Sequence, residues 1–123
     1  MPIKTYQDLI IWQNAFSVTK LIITYLRKIP DSIESRIIKS QLIRASTSIG
    51  ANVAEGYGRY GPKEFTRYLQ VALGSANESE YWLLILRDIY PYHSEDTEKL
   101  IAKNKETIKM LASAIKTIKS KRN

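Results

Sequence analysis

The sequence predicts an all-α protein, an antiparallel four-helix bundle with up-down-up-down topology. Apolar residues recur at intervals of three and four along four long segments, and no segment shows the alternation typical of a strand. Short breaks rich in proline and glycine separate the segments, which makes consecutive helices antiparallel. The helices are expected at residues 8–28, 32–55, 62–89 and 95–119. All 123 residues are expected to form one domain, because a chain of this length builds a single core.

The first helix is predicted to begin at Asp8, a residue type that caps helix N-termini, and to end near Ile29 and Pro30. Its apolar residues cover about half of its circumference, which is wider than the stripe of an ordinary surface helix. A helix this apolar is covered on more than one side. In a short chain, a second subunit is expected to supply part of that cover.

The second helix follows a turn at Pro30 and Asp31, with Ser32 as the expected cap. Small residues fill its centre, among them Gly50, although a glycine inside a helix costs about 1 kcal/mol relative to alanine. The third helix also has small residues at its centre. We therefore expect the two helices to approach closely there, with a bend at Gly50 as the alternative.

One face of the second helix carries a row of polar residues, called the polar stripe. Its members follow intervals of three and four, and therefore share one side of the helix: Gln41, Arg44, Ser48, Asn52 and Glu55. Buried amides and charges need partners, so the stripe is expected to bridge helices or subunits. The alternative is a recognition surface in which Arg44, Asn52 and Arg59 contact phosphates or bases.

The break between the second and third helices contains a literal G-x-G-x-x-G at Gly56, Gly58 and Gly61. That motif binds dinucleotides when it follows a strand in a β-α-β unit, and no strand is predicted here. The interpretation is a turn with glycines at positive φ, followed by Pro62 in the first turn of the third helix. A phosphate bound at that turn, beside Arg59 and Lys63, is the alternative.

Apolar residues outside the core stripe of the third helix indicate an oligomer. Tyr81, Leu84 and Ile85 fall on the side that faces water in a monomer. Scattered apolar residues on a surface are common, but the wide apolar stripe of the first helix favours an interface between subunits. These three residues are the candidate oligomer interface.

Residues 99–123, which cover most of the last helix and the tail, carry the whole net charge of +7. Residues 99–123 contain seven lysines and one arginine against one glutamate, whereas the rest of the chain is neutral overall. Such an excess promotes encounters with nucleic acid, although a basic helix is also a common solubilising face. Three of the lysines cluster within about 40° on one flank of the helix. The candidate nucleic-acid-binding residues are these three, Lys105, Lys109 and Lys116, together with Arg44, Arg59 and Lys63.

The sequence offers no catalytic set, metal site or cofactor motif. There are no cysteines, and the only histidine, His93, lies in a predicted loop without a partner at a useful spacing. The Glu-x-x-His pairs that hold metals in helical bundles are missing. We therefore predict a protein that is not an enzyme and uses no metal or cofactor. The apolar runs are too short for a membrane span and the first residues lack the pattern of an export signal, so a cytoplasmic protein is expected.

Three motifs resemble those of one bacterial family. They read D-L-I-I-W-Q-N-A from Asp8 to Ala15, Q-L-I-R-A-S-T-S-I-G-A-N-V-A-E-G-Y-G-R from Gln41 to Arg59, and K-E-F-T-R-Y-L-Q-V-A-L-G-S-A-N-E from Lys63 to Glu78. They are similar to the four-helix-bundle proteins encoded in intervening sequences of bacterial large-subunit (23S) ribosomal RNA genes, which are sometimes labelled ribosomal proteins. The resemblance covers nearly the whole chain, and only the last helix is generic. Ile43 stands where the family often has a second arginine, which weakens the case for phosphate binding on that face.

The resemblance implies a bundle that assembles as a ring, usually a homopentamer. A related branch is the accessory variability determinant of diversity-generating retroelements, a basic pentamer that binds nucleic acid and a reverse transcriptase. The partners implied for this chain are therefore other copies of itself and ribosomal RNA or another nucleic acid. A reverse transcriptase is added if the gene belongs to a retroelement. The intervening-sequence branch brings no established biochemical activity with it.

Two main hypotheses follow from the sequence. The first is a non-enzymatic homo-oligomer that binds structured RNA or DNA through basic surfaces. The alternative is a protein-interaction scaffold, in which the polar stripe and the extra apolar surface serve oligomer and partner contacts. A third hypothesis, a small enzyme, would require an open cleft that holds Glu55 or His93 beside a second polar group.

Overall fold

The computed structural model describes residues 2–122 and contains four long helices. They are α1 (Ile10–Leu26), α2 (Ile33–Tyr57), α3 (Gly61–Ile89) and α4 (Ser94–Arg122). A single turn of 3₁₀ helix precedes α1 (Tyr6–Asp8), and another precedes α4 (Pro91–His93). The all-α prediction is confirmed, and the predicted helix limits differ from the observed ones by three residues at most.

The helices form a square in which each packs against two neighbours. Contacts join α1 to α2, α2 to α3, α3 to α4 and α4 to α1, whereas the diagonal pairs make no close backbone contact within residues 2–122. Short connections make consecutive helices antiparallel, so the predicted up-down-up-down bundle is confirmed. The α1–α2 and α3–α4 connections lie at one end, called the upper end. The α2–α3 connection lies at the lower end, where α1 begins and α4 finishes.

The start of α1 differs from the prediction, because Asp8 is not its cap. Asp8 occupies position N3 of a capping box, three residues after the cap Thr5. Its carboxylate accepts hydrogen bonds from the backbone N–H of Lys4 (2.9 Å) and of Thr5 (3.1 Å). These two bonds hold the pKa of Asp8 below its usual range. Thr5 caps the 3₁₀ turn, and α1 begins after Leu9 without a side-chain cap. The sequence signal was the spacing of Thr5 and Asp8.

The α1–α2 connection is fixed by side chains at the start of α2. Ser32 caps α2 as predicted, and it forms a reciprocal capping box with Ser35. The Lys39 ammonium donates to the carbonyl of Ile29 (2.6 Å) and lies 3.0 Å from the Asp31 carboxylate. This lysine of α2 therefore holds the connection against the first turns of the helix.

The glycines between α2 and α3 have roles different from those predicted. Gly56 lies inside α2, where an added Cβ would come within 2.5 Å of the Tyr68 Cβ, so this glycine permits the close approach of α3. Only Gly61 has a positive φ (85°), so the expected run of left-handed glycines is wrong. Gly50 also differs from the prediction that it faces α3. A Cβ added at Gly50 would lie beside Trp12 and Ala15 of α1.

Two apolar clusters fill the bundle, one above the other. The upper cluster contains Ile22, Leu42, Leu83 and Leu86 among others. The lower cluster contains Ile49, Val53, Leu69 and Leu111 among others. Where each helix passes from one cluster to the other, it contributes polar side chains, called the polar layer: Asn14, Thr19, Ser46, Ser79, Asn104 and Thr107.

Hydrogen bonds within the polar layer connect different helices. The Thr19 hydroxyl of α1 lies 2.7 Å from that of Ser46 on α2. Asn14 donates to the Thr107 hydroxyl of α4, and the Asn104 amide donates to the carbonyl of Ala76 on α3 (2.9 Å). The layer therefore links all four helices at mid-height, a feature that periodicity in the sequence did not predict.

Candidate nucleic-acid interface

The polar stripe lies along the α2–α3 seam. At its upper end, the Arg44 guanidinium donates to the Gln41 side-chain oxygen (3.1 and 3.3 Å) and pairs with the Glu78 carboxylate of α3. The same Glu78 oxygen accepts the indole N–H of Trp82 (3.0 Å). Arg44 is thus held by a network that joins the two helices, and its charge is compensated there.

At the centre of the polar stripe, Ser48 connects the same two helices. The Ser48 hydroxyl of α2 lies 3.0 Å from the Ser75 hydroxyl of α3. The Asn52 amide donates to the Ser48 carbonyl (2.8 Å) and to its hydroxyl (2.9 Å), which fixes the orientation of the amide. The Ser48–Ser75 contact therefore joins α2 to α3, whereas the Asn52 bonds lie within α2.

The lower end of the polar stripe carries a second compensated cation. Glu55 lies 3.1 Å from the Arg59 guanidinium, which also sits over the Tyr68 ring at 5.4 Å. Tyr68 and Glu55 raise the pKa of Arg59 above its ordinary value. Arg67 approaches the same ring at 4.8 Å and pairs with Glu64. Each arginine at this corner therefore has an acidic partner.

The flank of α4 that faces α3 carries four exposed lysines, called the lysine row: Lys105, Lys109, Lys116 and Lys119. Two contacts fix the orientation of this flank. The Asn104 amide reaches the carbonyl of Ala76 on α3, and the Lys105 ammonium lies 3.9 Å from the Glu80 carboxylate of α3. The other three lysines follow Lys105 at intervals of four, seven and three residues, which keeps them on one side of the helix.

The charges of the lysine row are less compensated than those of the α2 arginines. Among the carboxylates of residues 2–121, only Glu80 lies within 4 Å of a member of the row, and it contacts Lys105. Sequence reasoning had selected three of the four lysines and had missed Lys119, which follows Lys116 by three residues. That spacing was the available signal.

The six candidate nucleic-acid-binding residues do not share one surface. Arg44 and Arg59 belong to α2 and its C-terminal end, and α2 lies diagonally across the bundle from α4. Lys63 is exposed in the first turn of α3, at the end of the bundle where α4 finishes. Phe65 of α3 and Ala114 of α4 line one cavity at that end, so the two elements are adjacent there. Lys63 therefore lies at the same end as the last members of the lysine row.

The three candidate interface residues on α3 differ in exposure. Tyr81 exposes 57% of its surface, and its ring packs edge-on against Trp82 with centroids 5.0 Å apart. Leu84 and Ile85 are half-buried, because they pack against the upper apolar cluster of their own chain. Only Tyr81 is therefore as open to water as the sequence had suggested.

A second group of exposed apolar residues lies at the upper end of the α2–α3 seam. It is called the isoleucine patch and consists of Ile33, Ile37, Ile85 and Ile89. Ile37 precedes Arg44 by seven residues and Ile85 follows Glu78 by seven, so both lie two turns above that ion pair in antiparallel helices. The three members other than Ile85 expose between 51% and 75% of their surface. Sequence analysis missed this patch, whose signal was two isoleucines four residues apart on each helix.

A groove of about 540 Å³ is lined by Tyr6, Asn52, Glu55 and Tyr68 among others. It places Glu55 beside Asn52, the arrangement that an enzyme hypothesis would require. One Glu55 oxygen is bound by Arg59, and the Asn52 amide nitrogen is bound by Ser48. Within residues 2–121, no three His, Asp or Glu side chains converge in a way that suits a metal ion. No described helix is both long and apolar enough to cross a membrane.

Comparison with known proteins identifies one family. The family model described as "23S rRNA-intervening sequence protein" matches residues 7–113, which is most of the chain. The chain is also similar to a crystal structure from Bacteroides thetaiotaomicron, a protein of unknown function from the S23 ribosomal protein family. The two share 27% identity with a TM-score of 0.77, over 87% of this chain and 99% of the other. No protein with a curated description matches the chain.

Proposed function

This chain belongs to the 23S rRNA-intervening sequence protein family, and we propose that it is a non-enzymatic, homo-oligomeric bundle that binds structured RNA or DNA. The family name makes ribosomal RNA the first ligand to test. A cytoplasmic location is expected, and a reverse transcriptase becomes a partner only if the gene lies in a retroelement. The proposal has two parts, a nucleic-acid interface and a subunit interface, which rest on different surfaces.

The lysine row is the observation that carries the nucleic-acid part. Its four cations are exposed on one flank of a long helix, and only Lys105 faces a carboxylate of the described chain. Lysines in such a row neutralise successive phosphates and release the counterions condensed on them, which favours binding. Arg44 and Arg59 contribute less in this proposal, because Glu78 and Glu55 already compensate their charges. Their role is to hold α2 against α3.

The isoleucine patch supports the subunit interface. Isolated exposed apolar residues are ordinary, but four isoleucines grouped at one end of a seam favour association. The exposed ring of Tyr81 lies one turn below Ile85 on the same face of α3 and extends the patch. The patch also favours the alternative function, a scaffold that binds a partner protein, so the oligomeric state must be measured independently.

A filter-binding titration with ribosomal RNA fragments across a range of salt tests the nucleic-acid part. We expect binding that weakens steeply between about 50 and 200 mM salt. A variant with Lys109→Gln and Lys116→Gln should lose about tenfold or more in affinity, because two phosphate contacts are removed. The matched control is Lys99→Gln with Lys103→Gln, which removes the same charge from the flank of α4 that faces α1. The proposal is wrong if the wild-type protein does not bind at low salt.

Sedimentation tests the subunit interface. The most suitable variant is Ile37→Glu with Ile89→Glu, because both side chains are largely exposed. Charges at Leu84 or Ile85 would also disturb the core of the protomer, so they are poorer probes. The control is Tyr92→Glu, which changes a fully exposed side chain outside the patch. We expect an oligomer for the wild type and the control, and a folded monomer for the isoleucine variant. A monomeric wild type would contradict this part of the proposal.

A further inference from the structure

The lysine row also indicates which form of nucleic acid it suits. Resting on the proposed function, we propose that the row binds the phosphate backbone of a double helix, and that it does not read the bases of a single strand. Three properties of α4 lead to this inference: the length and rigidity of the row, the distribution of aromatic rings, and the chemistry of its side chains.

The length of the row matches a regular, rigid ligand. Lys105 and Lys119 are fourteen residues apart on one continuous helix, so the row is about 21 Å long. That distance equals the axial rise of about six base pairs of a duplex. Because α4 packs against both α1 and α3, the backbone positions of the four lysines are fixed on a rigid support. A duplex presents its phosphates at fixed positions as well, so only the lysine side chains lose freedom on binding.

The distribution of aromatic rings argues against a single strand. Proteins that bind single strands stack successive bases on aromatic side chains, which gives about 1–3 kcal/mol per base. The whole of α4 contains no phenylalanine, tyrosine or tryptophan. On neighbouring α3, Tyr81 packs against Trp82. The fully exposed rings of Tyr60 and Tyr92 lie in the connections at opposite ends of the bundle. A single strand on this flank would lose its conformational freedom without gaining stacking energy.

The side chains of the row recognise charge and not sequence. Lysine is a point charge on a flexible stem, whereas arginine has the planar fork that reads guanine or grips phosphate through two bonds. Between the lysines, the outer surface of α4 carries short side chains such as Ala112 and Ser113, which let a backbone approach closely. Contacts of this kind position a protein on a duplex without specifying a sequence. RNA and DNA duplexes share this chemistry, so both are ligands to test.

The experiment compares duplexes with their own separated strands. Labelled RNA and DNA duplexes of equal length are titrated with the wild-type protein across salt, each beside its two single strands, and binding is followed by fluorescence anisotropy. We expect each duplex to bind about tenfold tighter than its strands, because the duplex has the higher density of phosphate charge. Three or four phosphate contacts should give a slope of log affinity against log salt of about −3 for one lysine row. The duplex that binds more tightly, RNA or DNA, is identified as the preferred ligand.

Two results separate a failure of this inference from a failure of the proposed function. If single strands bind as tightly as duplexes, the inference is wrong while nucleic-acid binding stands. If neither binds at low salt, the proposed function itself fails. The variant Lys109→Gln with Lys116→Gln should reduce the salt slope by about two, one for each phosphate contact. The control Lys99→Gln with Lys103→Gln should keep the wild-type slope, and an equal reduction in both variants would refute the assignment to this flank. Circular dichroism verifies that all variants are folded.

Discussion

At the scale of single residues, two helical glycines have opposite surroundings. An alanine Cβ at Gly56 would lie 2.5 Å from the Tyr68 Cβ and 3.1 Å from the Phe65 ring, so space there is already filled. An alanine Cβ at Gly74 would meet no atom within 4 Å. Both glycines lie within helices, but sequence reasoning assigned Gly56 to the turn after the second helix and counted only Gly74 among the small residues of a close helix approach. Only the positions of the neighbouring side chains distinguish a required glycine from a replaceable one.

The first prediction concerns these two positions. Gly56→Ala should lower the free energy of unfolding by about 1–3 kcal/mol, because the added methyl group forces α2 and α3 apart. Gly74→Ala should raise it by about 0.5–1 kcal/mol, since alanine restricts the unfolded chain and favours the helix. Urea unfolding followed by circular dichroism measures both changes. Equal effects at the two sites would contradict the packing described at Gly56.

At the scale of elements, the polar layer shows how α4 differs from an ordinary amphipathic helix. Asn104 is fully buried, and its side-chain oxygen has no hydrogen-bond partner among the described residues. Asn14 differs, because its amide donates to the Thr107 hydroxyl, which is also fully buried. Removing Asn104 leaves no buried polar group without a hydrogen bond, since the Ala76 carbonyl keeps its backbone hydrogen bond within α3. Removing Asn14 leaves a buried hydroxyl without its partner.

The second prediction contrasts these two asparagines. Asn104→Leu should raise the free energy of unfolding by about 1 kcal/mol, because it replaces a desolvated, unpaired oxygen with apolar surface of similar shape. Asn14→Leu should lower it by about 1–3 kcal/mol, the usual penalty for a buried group that loses its partner. Thermal and urea unfolding of both variants measure the difference. A loss of stability in Asn104→Leu would mean that the unpaired oxygen is satisfied in solution.

At the scale of the whole molecule, two apolar clusters share the same four helices. Trp12 packs against the lower cluster and Trp82 against the upper one, so each tryptophan reports on one cluster. Every helix runs through both clusters, and the polar layer joins the helices between them. Neither cluster has helices of its own, which makes independent unfolding unfavourable.

The third prediction is a single cooperative unfolding transition. The variants Trp12→Phe and Trp82→Phe each leave one tryptophan, so their fluorescence follows the upper and the lower cluster respectively. In each variant, the urea midpoint from fluorescence should coincide with the midpoint from circular dichroism, as in other small single domains. Separate midpoints for the two probes within one variant would show that the clusters unfold independently.

The sequence by itself determined the fold class, the four helical segments and the family. Helical periodicity, the Ser32 cap and Pro62 are local signals. Predictions from them hold in the folded protein because a helix forms its hydrogen bonds within its own segment. The tertiary structure decided which surfaces meet. It set the polar stripe against α3, paired Arg44 with Glu78, and left the lysine row exposed on the flank of α4 that faces α3. These features depend on contacts between residues distant in sequence, and periodicity along one helix does not specify its partner in the bundle.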